Sequence, residues 1–177
     1  MTDRERADSF TAMFEQLSAR VFSYARRSCD AAAAQDVVAD VFMIAWQRRA
    51  QLPDDPLPWL LVVARNTLAN RRRRQLHQDQ LADTVAHLER VAGPGVGVDE
   101  SVIDRHTFLS ALATLTLVER EALLLVAWDG LSRAAAASVA DCSQRAFEVR
   151  LSRARARLTR AANQQFLPTE LPIRKAR

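Results

Sequence analysis

Apolar residues recur along this chain at three- and four-residue intervals, the helical period, and strict alternation is absent. Phe10, Phe14, Leu17, Val21 and Tyr24 form a first stripe, predicting a helix that runs to about Ser28 behind a polar, frayed Met1–Ser9. Cys29 to Ala32 read as a connection. A second helix, Ala33 to Arg49, carries Val38, Val41, Phe42 and Ala45 on one side and Asp36 and Asp40, one turn apart, on the other. The prolines of QRRAQLPDDPLP (Gln47–Pro58) then predict a loop. Trp59 opens a third helix in which Leu60, Val63, Thr67 and Leu68 face a core, leaving Val62, Arg65, Asn66, Ala69 and Arg73 toward solvent or a ligand.

From Leu76 to about Asp99 the periodicity weakens and GPGVG (Gly93–Gly97) follows, the mark of a linker, although Gln75–Val91 could extend the third helix. A new helix near Ser101 brings Phe108, Leu112 and Leu115 to a core. Thr116 and Glu119 have the spacing of a capping box, which announces a helix Leu117–Asp129 with Gly130 as its C-cap.

The most informative stretch is Gly130–Arg160. Arg133–Ala140 reads as a short alanine-rich helix with Ser132 as N-cap, Asp141 and Cys142 make a turn, and Ser143 caps a longer helix. Phe147, Leu151, Ala154 and Leu158 are the buried stripe of that last helix. Arg145, Glu148, Val149 and Ser152 occupy its opposite face, flanked by Gln144, Arg153 and Arg155. Small residues behind and a basic face in front fit a helix-turn-helix recognition element in a DNA major groove. The plain alternative is an arginine-rich solvated helix.

Composition narrows the choices. The 177 residues are 49% apolar, enough for one ordinary domain or two small ones, and only 4 are glycine, which argues against a turn-rich β architecture. The net charge is only +4, but the bases are concentrated in Arg71–Arg74 and Arg145–Arg160, which suggests two contacts with one polyanion. Trp59 beside Arg65, Asn66 and the arginine run offers a stacking surface with phosphate contacts, a combination suited to single-stranded or melting DNA; a core role for Trp59 is the even alternative. Cys29 and Cys142 stand alone, so neither a zinc site nor any other metal or cofactor site is expected. Without a signal peptide pattern or a long apolar run, a cytoplasmic location is expected, with no membrane insertion.

In this order the segments resemble the extracytoplasmic-function group of the sigma-70 family of RNA polymerase sigma factors. AQDVVADVFMIAW (Ala34–Trp46) is similar to the family's polymerase-binding helix, and PWLLVVARNTLANRRRR (Pro58–Arg74) to its −10 reading helix. LATLTLVEREALLLVAWDGLS (Leu112–Ser132), with the helix-turn-helix after it, is similar to the domain that binds the −35 element. The resemblance implies an all-α chain of two small helical domains joined by a flexible linker. The domains would be 10–75 (core polymerase and −10 binding) and 101–162 (−35 binding), with a linker over 76–100 and a tail over 163–177. It implies that Asp36, Asp40 and Phe42 dock on the clamp helices of the polymerase β′ subunit, the β flap being a second polymerase contact. The 47–58 loop would capture a base flipped from the non-template strand. Trp59, Arg65 and Asn66 would wall the −10 contact, and Arg71, Arg72, Arg73 and Arg74 would hold the backbone. At −35 the readers would be Ser143, Gln144, Arg145, Glu148, Ser152, Arg153 and Arg155. The implied partners are core RNA polymerase and promoter DNA, with an anti-sigma factor left open.

Several positions depart from the family pattern. Ala136 and Ala140 are smaller than usual, Asp141 stands at a common glycine position that demands a left-handed backbone, and Ala146 and Glu148 replace a typical Thr and Lys. Three rival functions remain: a stand-alone helix-turn-helix regulator, a protein-binding helical adaptor, and an enzyme. The first usually needs a dimer seam, and none is seen. The adaptor leaves the Trp59–Arg74 pattern without a task. An enzyme is the weakest, because His77, His87 and His106 are scattered and no nucleophile–base pair or phosphate-binding glycine loop is present.

Overall fold

The computed structural model describes residues 3–75 and 111–166, and all regular structure among them is helical. The 76–100 linker, the start of the helix near Ser101, Phe108, the three histidines and most of the 163–177 tail lie outside the described residues.

Helix α1 spans Asp3–Arg26, α2 Ala31–Gln47 and α3 Leu57–Gln75. They pack pairwise into a three-helix unit. Val21, Tyr24 and Ala25 of α1 meet Ala34, Val37, Val41, Phe42 and Ala45 of α2 and Leu57, Leu60, Leu61 and Ala64 of α3 in the core. Helix α1 begins at Asp3, a full two turns before the expected start, so Met1–Ser9 is helical over most of its length. At the other end the Arg26 guanidinium donates to the Cys29 carbonyl (2.7 Å), and Asp30 caps α2 by accepting from the Ala33 N–H (2.8 Å).

The proline loop is shorter than expected. A 3₁₀ turn occupies Arg49–Gln51, and α3 starts at Leu57, placing Pro58 inside its first turn. A proline there forfeits nothing, since first-turn N–H groups have no helical partner. The buried stripe of α3 is also shifted from the expected one. Leu57, Leu60, Leu61 and Ala64 are buried, while Val63, Thr67 and Leu68 are only partly so.

In the second unit α4 spans Leu117–Ala127, α5 Arg133–Val139 and α6 Gln144–Phe166. The capping box is formed: Thr116 Oγ1 accepts from the Glu119 N–H, and the Thr116 N–H donates to Glu119 Oε2 at 3.0 Å. Arg120 turns back to donate to the Leu112 and Leu115 carbonyls (3.0 and 3.1 Å), fixing the segment before α4. Helix α4 stops at Ala127 with Trp128 as its cap, two residues before the expected stop. Gly130 acts one step later: at φ 65° it turns the chain so that the Leu131 N–H reaches the Leu125 carbonyl (3.0 Å).

Ser132 caps α5 through the Ala135 N–H (3.2 Å), and Ser143 does the same for α6 through Ala146 (3.2 Å). Asp141, between them, sits at φ 50°, the left-handed backbone expected of it. Helix α5 packs against α3, α4 and α6 at once. Ala136, Ala137 and Ala140 are fully buried there, so small side chains are what allow three helices to crowd a seven-residue one. The contact of α5 with α3 joins the two units into one body with a continuous core.

Candidate nucleic-acid interface

Helix α6 divides as its sequence period requires. Phe147, Leu151 and Ala154 are buried and Leu158 is partly buried, while Ser143, Gln144, Arg145, Glu148, Ser152, Arg153 and Arg155 are all exposed. Across one turn Gln144 Nε2 donates to Glu148 Oε1 (3.3 Å), so these two side chains form one hydrogen-bonding unit on the exposed face. Behind that face Arg157 donates to Glu119 Oε2 at 3.0 Å and pins α6 to the start of α4. The Thr116 backbone N–H and hydroxyl, with the charge of Arg157, hold the Glu119 carboxyl below the ordinary glutamate range. A rigid pair of helices thus presents a solvated basic surface.

The other candidate residues meet different fates. Asn66, Arg72 and Arg73 are exposed on α3, whereas Trp59 is partly buried against the core; of Arg74 only the helical backbone is described. Arg71 donates to Asp36 Oδ2 at 2.8 Å, so an expected DNA contact and an expected polymerase contact are paired with each other. Asp36 remains 65% exposed, and an ion pair that wet contributes about 0–1 kcal/mol, little enough to exchange for another partner. Phe42 corrects the expectation that it docks directly. It is only 4% exposed, with edge-on contacts to Phe10 and Phe14 (ring centroids 6.2 and 4.8 Å), so it shapes the α1–α2 surface from beneath. The large apolar side chains exposed there are Phe14, Met43 and Trp46.

Arg65 departs most from expectation. Instead of pointing to solvent it donates through Nε to Glu121 Oε1 (3.2 Å) and lies 4.0 Å from Asp141 Oδ2, both on the second unit. Tyr24 donates to the same Glu121 oxygen (3.2 Å), and burial with the adjacent carboxylate pushes its phenol far above the usual tyrosine range. Arg27 forms a two-pronged pair with Asp129, Nη1 to Oδ2 at 2.7 Å and Nη2 to Oδ1 at 2.8 Å, and Arg20 donates to the Asp129 carbonyl. This network escaped the sequence reading because its hydrogen-bonded members lie 56 to 109 residues apart, with no periodicity to connect them. Beside it lies an open cleft of about 510 Å³ whose lining includes Arg65, Arg72, Leu117, Val118 and Leu124.

Among the described residues no group of His, Cys, Asp or Glu could hold a metal ion, and no helix is long and apolar enough to cross a membrane. Cys29 and Cys142 are both free and half-buried. Cys29 donates to the Ala25 carbonyl, and burial raises its thiol pKa.

Comparison with known proteins converges on one family. Residues 13–77 match the model of sigma-70 region 2 and residues 105–158 that of sigma-70 region 4. The chain is 33% identical over 144 residues to the probable RNA polymerase sigma factor RfaY of Xanthomonas campestris, covering 77% of this chain but about a third (36%) of that protein. It is 32% identical to the RNA polymerase sigma factor NccH of Alcaligenes xylosoxydans, covering 70% of each chain. Identity to the ECF RNA polymerase sigma factor SigL of Mycobacterium tuberculosis is 29%, over 70% of this chain and 71% of that one. The fold matches that of the sigma factor RpoE of Bartonella quintana, solved in complex with the anti-sigma factor NepR. The TM-score is 0.63, with 24% identity and coverage of 88% of this chain and 97% of that one. An all-helical body, a capped helix-turn-helix with a solvated basic face, and both regions matched in order make the chain a member of the extracytoplasmic-function group of sigma-70 family RNA polymerase sigma factors.

Proposed function

We propose that the chain is a dissociable initiation factor that binds core RNA polymerase, directs it to promoters with −10 and −35 elements and assists their melting, with no catalytic centre of its own. The observation that carries this reading is the exposed face of α6, where every candidate −35 reader is solvent-accessible on a helix fixed from behind. In a major groove Arg145 would favour guanine, Gln144 adenine and Glu148 the cytosine amino group. Ser143, Ser152, Arg153 and Arg155 would complete the contact. On α3 the wall would be Trp59, Arg65 and Asn66, and Arg71–Arg74 would track phosphates, which position the protein without reading sequence.

Residues 10–75 would serve polymerase and −10 binding and 101–162 the −35 element, joined by 76–100 and followed by a 163–177 tail. The polymerase face would centre on Asp36 and Asp40 against the β′ clamp helices, with Phe42 supporting it, and the β flap would take the second unit. An anti-sigma factor is a natural further partner, as for the Bartonella relative, and the setting would be the cytoplasm.

Docking is tested by replacing Asp36 and Asp40 together with Arg. Wild type should co-elute with core polymerase on gel filtration and the double variant should not, with helix content unchanged by circular dichroism. Undiminished co-elution of the variant would remove the docking role. A stand-alone repressor, by contrast, would bind promoter DNA without polymerase.

A further inference from the structure

Helix α6 carries one side chain at odds with the face it stands on. By the helical period, the direction opposite the buried stripe of Phe147, Leu151 and Ala154 runs through Arg145, Val149 and Ser152. Val149 is thus held farthest from the core, at the centre of the exposed face, and it is 44% exposed among polar neighbours. Phe14, Met43 and Trp46, by contrast, share the α1–α2 surface, and the exposed Leu117 adjoins the exposed Val118. A β-branched residue is also a poorer helix former than the alanine and arginine that dominate α6. Neither burial nor helix formation accounts for a valine here. In a DNA major groove an apolar side chain at this position has one complement among the base edges, the C5-methyl group of thymine.

The neighbouring side chains define the rest of that contact. Gln144 Nε2 donates to Glu148 Oε1 (3.3 Å). An ionised carboxylate only accepts, so the amide NH2 end of Gln144 is the one turned toward Glu148, which leaves the Gln144 carbonyl oxygen and Glu148 Oε2 as acceptors. Two acceptors side by side match the exocyclic amino groups of adenine and cytosine and repel the acceptor edges of guanine and thymine. Val149 follows Glu148 in the chain, so an apolar contact stands next to an amino-seeking edge.

We propose that Val149 is a further specificity-determining residue of the −35 contact. It packs on the C5-methyl of a thymine in the same or the next base pair as the amino group accepted by the Gln144–Glu148 unit. The inference rests on the assignment of α6 as the −35 reader and adds to it a residue that makes no hydrogen bond through its side chain.

The test starts from a duplex pool randomised across the −35 and −10 positions and selected by the full chain in complex with core polymerase. Near −35, wild type should enrich a thymine at a fixed position, with adenine or cytosine in the same or the next pair. Each thymine of the selected duplex is then replaced in turn by uracil, which removes the methyl group and keeps every hydrogen-bonding atom. At one position wild type should bind the uracil duplex about fourfold more weakly, the loss of one buried methyl group. Val149→Ala, which substitutes a better helix former, should bind the two duplexes alike. Indifference of wild type to every replacement would overturn the proposal, as would an equal loss in Val149→Ala. Glu148→Gln should relax the adenine-or-cytosine preference and keep the methyl effect; an unchanged preference would remove the Gln144–Glu148 part. Enrichment of no sequence near −35 would remove the −35 reading itself, whereas a selected sequence indifferent to the methyl group removes only the role of Val149.

Discussion

Glu119 shows how one side chain is given several tasks. Its Oε2 accepts from the Thr116 N–H, the Thr116 hydroxyl and Arg157, so it caps α4 and ties α6 to it at once. These partners favour the ionised form, chief among them the Thr116 backbone N–H, and the folded pKa lies below the ordinary glutamate value. The unfolded chain therefore binds this proton more readily than the folded one. The stabilisation is complete above the ordinary value, about 4.3, and is lost as pH falls through the lower, folded value. Glu119→Gln should be less stable than wild type at neutral pH, and the gap should narrow on acidification to about pH 3. Denaturant melts of both proteins across that range check it; parallel pH curves would contradict it. The role of Glu119 as capping partner was legible in the sequence, because cap and acid are three residues apart. Its bond to Arg157 was not, since nothing local links residues 38 positions apart.

At the scale of the element, caps and punctuation carried most of the information. Ser132, Thr116 and Ser143 cap the helices they were expected to cap, and Asp141 adopts the left-handed backbone. Gly130 tests that kind of reasoning. An added Cβ would meet nothing within 4 Å, but the residue sits at φ 65°, so Gly130→Ala would be penalised for conformation alone, by about 1–2 kcal/mol. A thermal melt should show that loss with no change in the folded helix content; a neutral effect would mean the turn relaxes to another backbone. Periodicity served α6 well and α3 less well. Helix α6 has one apolar stripe against a strongly polar remainder. Helix α3 runs Leu60, Leu61, Val62, Val63 and Ala64, apolar on every side, so spacing could not choose the buried face, and Leu61 and Ala64 were missed. For Phe42 the spacing was the better guide: it put the residue with Val41 and Ala45, away from Asp36 and Asp40, and there it is buried, whereas direct docking was implied by the resemblance alone.

For the whole molecule, the all-helical class and the helix-turn-helix were readable from spacing, and the two units from the fading of that spacing at Leu76. Their mutual packing was not, because it depends on residues such as Arg27 and Asp129 that meet only once both units are built. That packing turns Arg65 from an expected solvent- or ligand-facing base into a seam residue bonded to Glu121. The central claim is that this chain gives core RNA polymerase its promoter specificity. The most direct measurement is run-off transcription from genomic fragments by core polymerase with and without the protein. The account predicts discrete transcripts only when both components are present, their start sites sharing sequences near −10 and −35. No new transcript from a mixture in which the protein also fails to co-elute with core would contradict it.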